Sequence, residues 1–183
     1  MLSTTASRFR TSHLARLAGI SLFAALTALT ARVTIPLPFT PVPITLQVMA
    51  VLLAGLILGP RAGAISQLVY LATIAAGLPL DAKALGLASL TGPTAGYLIG
   101  FVPAAFITGW LAEALPATRV SRFVAALAGV TVIYIAGIAW LAPAVGSLRM
   151  AWMLGVVPFI LIDLGKALVA AAVAESGQAL LGH

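Results

Sequence analysis

Long apolar runs recur six times along this chain, at about Leu14 to Ala31, Ile44 to Gly59, Ala62 to Gly77, Ala95 to Leu115, Phe123 to Leu141 and Trp152 to Ala174. A helix needs about 20 residues to cross a bilayer, so six crossings consume about 120 residues. In a chain of 183 residues that leaves only loops and tails. Within lipid every backbone N–H and C=O must be satisfied internally, which selects helices here. The expected fold is therefore all-α, an integral membrane bundle of six transmembrane helices. Residues 1–13 are expected as a flexible tail, 14–176 as a single membrane domain and 177–183 as a C-terminal tail. Charged residues make up 8% of the chain and apolar ones 62%, against roughly 25% charged in soluble domains. A soluble domain is excluded, and so is a soluble enzyme on one anchor.

The net charge of +6 reads as orientation rather than as a nucleic-acid surface. With the N-terminus inside, the cytoplasmic segments hold Arg8, Arg10, Arg16, Arg61, Arg119 and Arg122, and the outer loops hold Arg32, Lys83 and Arg149. Both termini are expected in the cytoplasm of a bacterial cell (inner) membrane, with the longer loops outside. The basic flank of the first run resembles a signal peptide, but five further spans make it a first transmembrane helix. Four prolines (Pro36, Pro38, Pro41, Pro43) stiffen the first outer loop into an extended path suited to a lid. Pro103 and Pro158 lie inside expected spans, where each removes a backbone hydrogen bond.

Cysteine is absent and the two histidines, His13 and His183, lie at the ends. Thiol chemistry, a metal site and a buried histidine relay have no residues to use, so neither an enzyme nor a cofactor is expected. Asp163 and Lys166 are the only charges deep inside an expected span. Counted inward from Trp152 at 1.5 Å per residue, Asp163 falls roughly 16 Å down, near the bilayer midplane. Spaced i, i+3, the two share a helix face. Each costs about 2.5–3.5 kcal/mol at a helix centre, so that face points into the bundle, toward a ligand carrying both an acid and N–H groups. Thr45, Gln47 and Tyr97 are further candidates at helix ends, and Ser66, Gln67 and Tyr70 lie on the third span. Ala15 with Gly19 and Ala24 with Ala28 place small residues at i, i+4, a pattern that permits close helix docking. No G-x-x-x-x-G-K-[ST] loop is present, so any ATP must be hydrolysed by another polypeptide.

Four stretches together, PFTPVPITLQ at 38–47, LILGPRAGAISQLVYL at 56–71, GPTAGYLIGF at 92–101 and IDLGKALVA at 162–170, resemble the BioY family. These are the biotin-specific substrate-binding subunits of energy-coupling factor (ECF) transporters. The resemblance covers about Leu17 to Ala174 and implies a six-helix fold that binds biotin from outside under its outer loops. It implies as partners a transmembrane coupling protein and two ATP-binding-cassette ATPases, besides the lipid bilayer, and leaves the oligomeric state open. It implies binding by Asp163 and Lys166, with Thr45, Gln47 and Tyr97 beside them, and docking to the coupling protein through Ala24 and Ala28. Biotin, a ligand here and not a cofactor, suits the pair: a carboxylate for Lys166 and ureido N–H groups for Asp163 or Gln47. The loop at 78–91, LPLDAKALGLASLT, departs from the family's glycine-richer pattern. The competing expectation is a stand-alone proton-coupled carrier of a small carboxylated vitamin, in which Asp163 titrates.

Overall fold

Gly59 governs how the first half of the bundle closes. In the computed structural model, which describes residues 13–181, the long helix α2 (Gln47–Ala75) is interrupted only at Gly59, with φ 78° and ψ 179°. That combination is essentially open to glycine alone. Pro60 follows, with its φ already set for the first turn of a new helical arm. The two arms run back along each other. The Gln47 amide donates to the Tyr70 hydroxyl at 2.6 Å although 23 residues separate them, a span of about 35 Å along a straight helix. A side chain at Gly63 would lie 2.9 Å from the Ala54 carbonyl, so the arms touch backbone to backbone.

The other helices are α1 (His13–Ala31), α3 (Ala95–Ala114), α4 (Arg119–Val145), α5 (Leu148–Gly155) and α6 (Ile160–Leu181). Among the described residues four helices are long and apolar enough to cross a membrane, and α5 with α6, bent by 56° at their junction, pass the same test taken together. The reversal at Gly59 divides α2 into two arms, which stand where the second and third expected spans were placed. Expectations placed on residues 1–12, with Arg8 and Arg10, and on His183 lie outside the described residues. The α6 backbone is helical to Leu181, past the start of the expected tail at 177.

Two boundaries differ from the sequence reading. Ile44 and Thr45 do not open a helix: they form a strand, β2 (Ile44–Thr45), antiparallel to β1 (Thr34–Ile35), with Thr34 opposite Thr45. The proline-rich loop is therefore pinched at its base. The last span is also not one helix. Pro158 has no N–H for the Leu154 carbonyl and its ring would clash with it, so the chain turns at 156–159 and restarts as α6.

Packing is backbone-close where α3 crosses the α2 hairpin. A Cβ at Gly55 would lie 2.5 Å from the Ala105 carbonyl, and one at Gly109 would lie 2.5 Å from the Pro60 nitrogen. Such backbone approach is how helices gain contact in lipid, where hydrophobic attraction between them is lost. Buried polar side chains tie α1 to the second arm of α2. Thr27 donates to the Phe23 carbonyl at 2.8 Å, with its hydroxyl 3.2 Å from Gln67 Oε1, and the Gln67 amide donates to Ser66 Oγ at 3.0 Å. This brace occupies Ser66 and Gln67, two of the secondary candidates.

Replacing Gly59 with alanine should destabilise the protein by about 1–3 kcal/mol, because alanine cannot hold that backbone conformation without strain. The thermal midpoint of purified protein in detergent reads the effect. A wild-type midpoint would contradict the role given to Gly59.

Candidate functional site

The break in the last span builds the site. An unbroken helix would satisfy the Leu154 and Gly155 carbonyls internally, and the turn at Pro158 releases both. The Thr40 hydroxyl, from the proline-rich loop, donates to the Leu154 carbonyl at 2.7 Å. The Tyr97 hydroxyl, from α3, donates to the Gly155 carbonyl at 3.0 Å. A side chain at Gly155 would come 2.0 Å from the Tyr97 oxygen, and one at Gly137 would come 2.3 Å from the Tyr97 ring. Tyr97 is thus clamped between α4 and the break.

Asp163 falls in the first turn of α6, where the helix dipole favours a carboxylate. This revises the position counted along a continuous sixth helix: the aspartate stands just past a bend, facing the cavity the bend opens. Lys166 donates to Asp163 Oδ1 at 2.7 Å and the Tyr134 hydroxyl, from α4, donates to Oδ2 at 2.7 Å. Asp163 is 3% exposed and Lys166 8%. A buried pair of this kind holds only with close geometry and further hydrogen bonds, and Tyr134 supplies one.

These groups border one cavity, lined by residues of both loops and of the helices beneath them, a concave, largely apolar setting with a few polar groups of the kind small-molecule sites use. Asp163, Lys166 and Tyr134 line it together with Thr45 and Gln47. Tyr97, Leu98, Phe101, Ile133 and Phe159 supply apolar wall, and Asp81, Lys83 and Ser89 come from the 78–94 loop. Gln47 is 3% exposed, with its backbone N–H donating to Thr45 Oγ1 at 3.3 Å. Tyr70 stands behind it, and its hydroxyl reaches the Leu80 carbonyl at 3.3 Å, joining the hairpin to the loop. Arg32 donates to the Pro79 carbonyl and joins the loop to the end of α1. Buried Asp81 organises the loop: Oδ1 accepts from the Gly86 N–H at 2.8 Å and Oδ2 from the Lys83 N–H at 3.0 Å. Among the described residues no cluster of His, Cys, Asp and Glu has metal-binding geometry.

All five residues predicted for the site, Asp163, Lys166, Gln47, Thr45 and Tyr97, line this one cavity. The Tyr97 hydroxyl is held by the Gly155 carbonyl, so its ring is wall and its oxygen is brace. Of the two alanines expected to dock a partner, Ala24 is buried against this chain's own core and Ala28 is half-buried beside it. The exposed face of α1 carries Ala18, Leu22, Ala25 and Leu29. In a helix so rich in alanine, i, i+4 spacing identifies a narrow face without saying which way it points. Tyr134 and Asp81 escaped the sequence reading. For Tyr134 a signal existed: it is one of three tyrosines in the chain and carries a phenolic hydroxyl in the middle of an apolar span.

Gly137→Ala should cost about 1–3 kcal/mol of stability by overpacking against Tyr97. In a Tyr97→Ala background the same change should cost much less, because the ring it strikes is gone. Equal penalties in both backgrounds, measured by thermal unfolding in detergent, would contradict the clamp.

Known proteins share this architecture. The BioY family model matches residues 4–183. A probable biotin transporter BioY from Pyrococcus horikoshii is 44% identical over 160 residues, covering 87% of this chain and 93% of the relative. The biotin transporter BioY of Rhizobium etli is 43% identical over 146 residues, covering 75% and 78%. The crystal structure of the S-component for biotin from an ECF-type ABC transporter superposes with a TM-score of 0.83 at 28% identity, covering 90% of this chain and 91% of that one. With an apolar six-pass bundle, a buried Asp–Lys pair beneath two loops and this likeness over nearly its whole length, the chain belongs to the BioY family of membrane transport proteins.

Proposed function

We propose that this protein captures biotin in the cavity between α3, α4 and α6, entering from the side of the 34–45 and 78–94 loops, and delivers it inward with an ATP-hydrolysing ECF module. The observation that carries the reading is the buried Asp163–Lys166 pair, with Tyr134 on its second carboxylate oxygen, facing an otherwise largely apolar pocket. Asp163 retains acceptor capacity for ureido N–H groups, and Lys166, a three-proton donor, has donors left for the ureido carbonyl. Tyr97, Phe101 and Phe159 suit the thiophane ring and alkyl chain, and Gln47 with Thr45 offers further polar contacts.

The basic-residue distribution supports termini in the cytoplasm and the loops outside, in the cell membrane. Energy would come from partners, a transmembrane coupling protein and two ATPases, since the chain carries no phosphate-binding loop. The exposed face of α1, with Ala18, Leu22 and Ala25, is the accessible surface on that helix for such a partner.

Equilibrium binding of labelled biotin to purified, monodisperse protein tests the reading: saturable binding is expected, and its absence in folded material would refute it. Lys166→Ala should weaken binding by about 2 kcal/mol or more, because it removes a desolvated donor and leaves Asp163 partly unpaired. Wild-type affinity in a folded variant would remove Lys166 from the site. Biotin uptake into liposomes should require the ATPase module; uptake driven by a pH gradient with this chain alone would favour a carrier instead.

A further inference from the structure

Four charged side chains line the cavity: Asp81, Lys83, Asp163 and Lys166. Three have their charge answered. Asp163 and Lys166 answer each other, and both Asp81 oxygens accept backbone N–H groups of their own loop. The Lys83 ammonium has no hydrogen-bond or ion-pair partner among the described residues. It also differs in place, for Lys83 is exposed while Asp163 and Lys166 are buried. One lysine therefore belongs to the floor of the cavity and the other to its rim.

The two ends differ in the chemistry they favour. The floor is neutral overall, presenting a carboxylate with an ammonium and a phenol each within hydrogen-bond distance of it. An uncharged group with N–H and C=O side by side matches it, whereas a carboxylate there would confront Asp163 in a desolvated setting, which is costly. The rim carries an unanswered cation. Its backbone is held: the Lys83 N–H is fixed by Asp81, and the neighbouring Ala84 closes the turn with φ 55°. An ammonium on a loop anchored in this way pairs with an anion at lower conformational cost than one on a free tether.

We infer that Lys83 is the counter-ion of the ligand's carboxylate, holding it at the rim while the ureido ring occupies the Asp163–Lys166 floor. The assignment rests on the biotin reading above and deepens it: Lys83 is a specificity residue for the acid, and Lys166 serves the ureido end rather than the carboxylate. A rim cation also steers an anionic ligand toward the opening, an effect that falls with ionic strength.

Binding of biotin and of biotinamide, in which the acid is replaced by a neutral amide, to the purified full chain separates the two ends. Lys83→Ala should weaken biotin by about fivefold or more, as expected for a partly exposed ion pair, and leave biotinamide within about twofold of wild type. Lys83→Arg should keep most of the affinity for biotin, and the salt dependence of biotin binding should flatten in Lys83→Ala. Unchanged biotin affinity in Lys83→Ala, or equal weakening of both ligands, would overturn the assignment, the second outcome marking Lys83 as a loop-structure residue. A wild-type protein that binds neither ligand would instead overturn the biotin reading itself.

Discussion

The missing N–H of Pro158 interrupts the last membrane helix and leaves the Leu154 and Gly155 carbonyls without partners inside it. In hydrocarbon an unsatisfied carbonyl costs several kcal/mol, so each must be answered by another element. Thr40 and Tyr97 answer them. The first of these bonds ties down the proline-rich loop, and the second ties α3 to the break. One local interruption thus connects a loop, two helices and the start of α6. It also sets Asp163 in a helical first turn, where a buried negative charge is favoured.

The charged pair follows from the same arrangement. Asp163 and Lys166 are costly in a membrane unless they pair and face the bundle interior. The i, i+3 spacing supplies the pairing, and Tyr134 from α4 supplies a further donor. What remains unused on both partners is directed toward a cavity with aromatic walls. The pair therefore stabilises the interior only in part, and its remaining hydrogen-bond capacity is what a ligand can use. This is a recurring compromise in membrane binding sites, where a group too costly for pure structure persists because something polar visits it.

The loop side is built on different physics. Asp81, buried and bonded to two backbone N–H groups, folds the 78–94 loop around itself. Arg32 and Tyr70 fasten that loop to α1 and to the α2 hairpin. The site thus has a deep end set by helix packing and an outer end set by loop hydrogen bonds. The two ends meet at Gln47, which lines the cavity while its amide donates to Tyr70.

Periodicity, length and charge in the sequence determined that this chain crosses a membrane on helices, turns tightly at Gly59–Pro60 and buries Asp163 beside Lys166. Each of these depends on local spacing or on the cost of one residue in lipid, which a sequence displays directly. Gln47, Thr45 and Tyr97 were legible as candidates by residue type and by the stretches that carry the family resemblance. The tertiary structure alone decided which polar groups meet. Tyr134 reaches Asp163 from 29 residues away, and Thr40 reaches Leu154 from 114 away, distances at which no pattern constrains the pairing. It also decided that Ala24 and Ala28 turn inward on α1. A helix carrying small residues on several faces has no preferred side until its neighbours have packed against it.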